Sequence, residues 1–252
     1  MKIRFFLTSL LLGSVALGAA ADVRYTSKTG ASTATVTTTT WVKNKRQRME
    51  MVTDMGTMKT KIVTLTQCDQ RQNVTLDTDL KIYYVTPFGD GGGKAEGNQG
   101  NGTITNTYTV KDLGTETIAK LKAHHWMVTT QTKTTGCAGN TDNTSKVEVW
   151  TAPIPVLNCP ESAAQSQPTC KIKFEEKGDV KGMRSAYNGM PVKMITYQGN
   201  QQTSVIEFVD YSTDALADNL FAPPSDYKKV TMAEFQQQQQ QKMMQQFKVP
   251  QQ

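Results

Sequence analysis

A chain of 252 residues is long enough to bury a core of its own, and with 28 Lys and Arg against 22 Asp and Glu it carries a net charge of +6. That charge is mild and scattered among threonines and glutamines. It lacks the basic face and base-reading side chains of a nucleic-acid footprint, so nucleic acid is not an expected partner.

The N-terminus "MKIRFFLTSLLLGSVALGAAADVRY" places Lys2 and Arg4 before an apolar run from Ile3 to about Leu17, followed by Ala19, Ala20 and Ala21. This is the pattern of a secretory signal peptide cut after Ala21. The run is shorter than the roughly 20 apolar residues of a membrane span. No second such run follows, so a mature chain without a transmembrane segment, periplasmic or secreted, is expected. Losing Lys2 and Arg4 lowers the net charge to +4.

Residues 22–230 read as one domain. Period-two alternation is widespread and helical periodicity is nearly absent. "TITNTYTV" sets Ile104, Tyr108 and Val110 opposite a row of threonines. "SKVEVW" sets Val147 and Val149 opposite Lys146 and Glu148, and "CKIKFEE" sets Ile172 and Phe174 opposite Lys171 and Lys173. Further strands are expected near 33–42, 46–53, 59–67, 71–76, 79–86, 116–132, 191–198 and 203–211. Consecutive short strands with one wet face predict a mainly β fold: a large curved antiparallel sheet or incomplete β-barrel with one or two short helices. The basic cluster Lys43–Arg48 reads as a solvated turn between two strands. The glycine-rich 88–102 reads as a mobile loop, since frozen glycine is entropically costly. One short helix is expected at "STDALADNLF", capped by Ser212 or Thr213 and ended by Pro223. The Gln-rich tail, 231–252, reads as disordered or loosely helical, with Met243, Met244 and Phe247 able to dock on an apolar patch.

An even cysteine count in an exported chain reads as two disulfides, with three possible pairings. The proline-rich loop between Cys159 and Cys170 closes cheaply, which favours that bond and leaves Cys68 for Cys137. No metal site is expected, because no C-x-x-C occurs and the only histidines, His124 and His125, are adjacent. On a strand they point to opposite faces, so they cannot share a metal or act as a paired acid and base. His124 shares a face with Trp126 and Val128, and His125 with Ala123 and Met127. One should cap the apolar face and the other meet water. No nucleophile elbow, H-E-x-x-H, P-loop or dinucleotide fingerprint occurs, and the carboxylates are dispersed. No catalytic residue and no cofactor is expected: the protein reads as non-enzymatic.

Several segments, in order, resemble exported bacterial proteins of the lipoprotein-carrier (LolA/LolB-like) fold superfamily. They are the stretch from Met51 to Val85, "DLGTETIAKLKAHHWMV", "KVEVWTAP", "GMPVKMITY" and "LADNLFAPPSDYKKV". The resemblance spans about 40 to 230. It implies an incomplete antiparallel barrel with an apolar concavity, and a periplasmic protein that binds a lipid, a lipoprotein acyl chain or a similar ligand. On that reading Ile104, Tyr108, Val110, Val147, Val149, Ile172 and Phe174 line the groove. The alternative is a structural or interaction module of the cell envelope, touching an envelope protein and holding no small ligand. The chain departs from the carriers in having few helical segments, and "AKLKAHHW" replaces the glycine usual in its strand.

Overall fold

The computed structural model describes residues 22–31, 34–56, 59–88, 100–157, 159, 170–199 and 201–246. In chain order the strands are β1 Val23–Ala31, β2 Ala34–Lys43, β3 Arg46–Asp54, β4 Lys59–Gln67, β5 Gln72–Asp77, β6 Ile82–Pro87, β7 Gly100–Ile118, β8 Leu121–Gly136 and β9 Thr141–Ala152. After these come β10 Cys170–Gly178, β11 Met190–Gln198, β12 Gln201–Ser212 and β13 Lys228–Lys229. Helix α1 spans Val180–Ala186 and helix α2 Met232–Gln246. The expected signal peptide and most of the glycine-rich loop lie outside the described residues; Gly100 and Gly102 belong to β7.

All thirteen strands make one curved sheet, ordered β10-β7-β8-β9-β11-β12-β1-β2-β3-β4-β5-β6-β13. The alternation read from the sequence is clearest in β4, where Val63, Leu65 and Gln67 are buried and the residues between them are not, and in the first half of β8; β3 is half-buried on both faces and β10 is largely exposed. Neighbours pair antiparallel except at the two edges, where β10 runs parallel to β7 and β13 parallel to β6. At the turn between β2 and β3, Asn44 takes a left-handed φ of 54°, and the basic cluster Lys43–Arg48 is the hairpin that the sequence suggests.

The largest buried cluster lies mid-sheet, where Val23, Ile118, Ala123, Trp150, Ala152, Ile154, Val192 and Phe208 pack together, and two smaller clusters lie towards the sheet's ends. On β4 and β5, Val63, Leu65, Val74 and Leu76 form a closed cluster with Tyr83, Val85 and Tyr227. The segment expected to be a helix at 212–221 is extended as far as Ala217 and makes only a 3-10 turn, Asp218–Phe221. Pro223 and Pro224 prevent continuation, and the turn's last carbonyls are taken from the sheet: Gln67 Nε2 donates to Phe221 O at 2.8 Å and Arg48 Nη1 to Leu220 O at 3.2 Å. Phe221, 1% exposed, seals that end. In the tail, α2 is held by Phe235, edge-on to Tyr84 at 4.8 Å, and by Lys242 beside Asp77 and Asp79. Its anchor is therefore Phe235; Met244 is exposed, and the side chains of Met243 and Phe247 lie outside the described set.

Two expectations are corrected. The long strand over 116–132 is a hairpin: β7 and β8 meet at Ala119 and Lys120, both left-handed at φ 46° and 70°. Such a two-residue turn usually carries Asn or Gly, so its sequence signal is missing. The disulfides join Cys68 to Cys159 and Cys137 to Cys170, not Cys159 to Cys170 and Cys68 to Cys137. The cause is the parallel edge strand. Strands β8 and β7 stand between β9 and β10; Cys159 bonds to Cys68 just after β4, while Cys170 pairs with Gly100 beside the β8–β9 turn that holds Cys137. Cys159 and Cys170 thus bracket a crossover rather than a tight loop.

Candidate functional site

The register of β7, β8, β9 and β11 builds one apolar face row by row. Val110, Val128 and Val147 stand side by side, and Trp126, Val149, Met194 and Ile206 make the next row. Helix α1 lies over this face. It follows Gly178 directly, and Asp179 N donates to Tyr108 O at 2.9 Å. Asp179 caps the helix by accepting from Gly182 N at 2.8 Å, and a Cβ at 182 would collide with that carboxylate. Ala186 is the helix's buried side chain, packed with Val128 and Val149. Arg184 reaches back to Glu176 on β10 at 3.0 Å.

The structure divides the seven expected groove residues into two groups. Val110, Val147 and Val149 gather beneath or beside α1, where Val149 is buried against Ala186, so α1 must shift before anything else can touch it; Tyr108 is also buried, next to Gly178 of β10. Ile104, Ile172 and Phe174 lie further along the same face, at the sheet edge, where Phe174 pairs with Ile104 and Ile172 with Gly102. Phe174 is 69% exposed and Ile172 38%.

Beside α1 opens a cleft of about 670 Å³, lined by Thr115, Lys122, Ala123, His124, Trp126, Thr151, Pro153, Ser185 and Asn188. His124 stacks on Trp126 with centroids 4.3 Å apart, and its Nε2 lies 2.7 Å from Asp112. Asp112 also accepts from Gly114 N, and these two contacts hold its carboxyl below the usual range. The Trp126 Nε1 donor is buried without a partner. The cleft thus has an apolar floor, a polar rim and one unspent donor.

His125 sits on the opposite face, as its alternation with His124 requires. It is buried, stacked on Trp150 at 3.8 Å, with Nδ1 3.1 Å from Glu116 and Nε2 3.2 Å from Glu148. Glu148 also accepts from the Tyr197 hydroxyl at 2.9 Å, a bond that together with burial raises the tyrosine's pKa. Both ring nitrogens are occupied by carboxylates, and Trp150 covers the ring. This is a satisfied, packed histidine. Among the described residues no group of three or more His, Cys, Asp or Glu is placed to hold a metal.

A second cleft, about 530 Å³, is lined by Lys43, Asn44, Lys45, Arg46, Asp69, Asp218 and Phe221. Two of its three cations are paired, Lys43 with Asp218 at 2.9 Å and Arg46 with Asp69 at 2.7 Å; the third is Lys45. The hydrogen bond from Arg46 draws the Asp69 carboxyl down, and the one from Lys43 does the same to Asp218. With three cations against two carboxylates, the cleft keeps a small positive excess, a weak attraction for an anion.

Residues 25–227 match the family model described as a domain of unknown function, DUF4412, and the chain belongs to that family. No curated protein sequence matches. Among solved structures, the chain is similar to an uncharacterized conserved protein from Thermus thermophilus, at 8% identity and a TM-score of 0.42 over 84% of this chain and 91% of that one. It is also similar to a chain of the Pseudomonas aeruginosa MucA/MucB complex, at 12% identity and a TM-score of 0.41, covering 85% of this chain and 60% of that one. The two disulfides suit an oxidising, extracytoplasmic compartment. No helix among the described residues is long and apolar enough to cross a membrane.

Proposed function

We propose that this protein is an exported, non-enzymatic binding module of the LolA/LolB-like kind, which takes a lipid or lipoprotein acyl chain on the face of β7–β9 under α1. One observation carries the reading: among the described residues a seven-residue helix with a single buried side chain, Ala186, covers a continuous apolar floor, and an open cleft runs along its side. A displaced α1 would expose Val110, Trp126, Val128, Val147 and Val149. Each acyl CH₂ buried there contributes about 0.8 kcal/mol, so a dozen would offset the loss of the helix contacts. The cleft's rim, with Lys122, Ser185 and Asn188, would stay beside the chain's polar end. The envelope interaction module is favoured instead by the closure of the floor, where Val149 is fully buried beneath α1.

Native mass spectrometry decides between them, on protein purified without detergent and then extracted with solvent. The expected result is a reproducible added mass that resolves to a phospholipid or an acylated peptide and is lost in Val147→Asp. A clean unliganded mass, with no uptake from phospholipid vesicles, overturns the carrier reading in favour of the interaction module.

A further inference from the structure

Resting on the acyl-binding reading above, we infer that the ligand is an ester- or amide-linked acyl chain whose carbonyl oxygen accepts a hydrogen bond from Trp126 Nε1. Trp126 is the one side chain that both lines the cleft beside α1 and packs against the cluster of Val128, Val149 and Ala186. A chain lying from the cleft onto the floor therefore passes this indole. Its Nε1 is buried and meets no acceptor among the described residues. An unmade hydrogen bond is a cost that the folded state carries until an acceptor arrives. The shift of α1 that admits the chain is what brings one.

Trp150 Nε1 is also buried without a partner, and the contrast is instructive. Trp150 belongs to the large mid-sheet cluster, is covered by His125, and lines none of the clefts described above. Only at Trp126 does an unmet donor stand where a ligand can come. The ring is also held in place, because His124 stacks on one face at 4.3 Å and is itself tied to Asp112 at 2.7 Å. A donor fixed in direction loses little entropy on being met.

The surroundings choose the kind of acceptor. An indole N–H is neutral, and beside it the cleft offers the neutral groups of Thr115, Thr151, Ser185 and Asn188. The cation lining the cleft, Lys122, is exposed, and Asp112 already faces His124. A carboxylate buried against Trp126 would lack a countercharge there, which costs far more than burying a carbonyl. A plain hydrocarbon would leave the donor unmet. An acyl ester or amide sets its acceptor directly at the head of the alkyl chain, at the boundary of floor and rim where Trp126 stands.

Isothermal titration calorimetry of the purified protein tests this with monolauroylglycerol and dodecylglycerol, an ether that keeps the alkyl tail and the diol but lacks the carbonyl. The ester should bind about tenfold more tightly. Trp126→Phe keeps an aromatic ring and removes the donor, and it should erase the preference by weakening the ester alone. Trp150→Phe removes the other unmet donor and should leave the preference unchanged. Lauroylethanolamide should share the ester's advantage over the ether. An amide bound more tightly than the ester supports an N-acylated protein terminus as the source, and the reverse supports a glycerolipid. Peptide mapping of the Cys68–Cys159 and Cys137–Cys170 bonds checks that each variant is folded. Equal affinities for ester and ether in the native protein, or a preference that survives Trp126→Phe, overturn the inference and leave the acyl-binding reading standing. So does laurate bound more tightly than the ester at neutral pH, since Lys122 would then be reading the head. Binding of none of these probes overturns the acyl-binding reading, and the carbonyl contact with it.

Discussion

The two ends of the sheet are built from the same alternating strands, yet they are finished differently. At the β3–β6 end Val63, Leu65, Val74 and Leu76 are essentially inaccessible, with Phe221 sealing the end and Tyr227 packed against the cluster. Glu50, in the same region, is drawn up by burial but more strongly down by hydrogen bonds from Lys61 and Arg48, leaving it a paired carboxylate. Helix α2 adds a further layer against β6. At the β7–β10 end, among the described residues, the apolar face is covered by seven helical residues and the last strand, β10, pairs only with β7. One end is sealed by side chains from several elements, while the other, among the described residues, has a single short helix over its face and an edge strand with one neighbour. Elements that move are drawn from the less stable parts of a fold, which is why the proposed binding face is put at the second end.

The largest test of this contrast concerns the bond between the two ends. Cys68 follows β4, and Cys159 lies in the crossover after β9, so their disulfide ties the closed end to the open one across 91 residues of chain. Cys137–Cys170 spans only 33 and stays within the open end. On the loop-entropy model, removal as paired Cys→Ser variants costs about 4.6 kcal/mol for the first and about 3.7 kcal/mol for the second. Urea denaturation should rank them so. Only the second should also loosen β10, which hydrogen exchange of the β10 amides would register; an equal effect from both variants would mean that the ends are not mechanically separate.

Next in size, Phe221→Ala removes the seal of the closed end and should cost about 3–5 kcal/mol in urea denaturation. Acyl-chain uptake by the folded fraction should be unchanged. Altered uptake with intact folding would place the binding surface at the wrong end.

The contrast was partly legible in the sequence. The strands, their wet and dry faces and the opposed directions of His124 and His125 follow from period-two alternation, a local property. So does the clustering of Val110, Val147 and Val149. What could not be read is non-local or lacks a local marker. The β7–β8 turn uses Ala119 and Lys120 at left-handed φ, where composition gives no signal. Helix α1 is too short for a period to emerge and contains Gly182, tolerated because Asp179 folds over it. The disulfide pairing depends on β10 crossing the sheet to run parallel with β7, a topological fact that loop length between Cys159 and Cys170 does not encode. Tyr108 is buried and Phe174 exposed although alternation places both on one face, a difference set by their non-local surroundings.

The smallest expected effect is the most diagnostic. Asp179 caps α1, and Asp179→Ala leaves Gly182 N without its acceptor, a loss of about 1 kcal/mol. If α1 opens independently, that loss appears locally: its amides should exchange roughly fivefold faster, while those of Val63, Leu65, Val74 and Leu76 keep their protection. The global melting temperature should fall by no more than about 2–4 °C. Uptake of an acyl chain should then strengthen, because the variant has less helix to displace before Val128 and Val149 are reached. If exchange instead accelerates evenly over β4–β6 and β7–β9, the two ends unfold as one unit, α1 is not a cover, and the division drawn between a sealed and an open half fails.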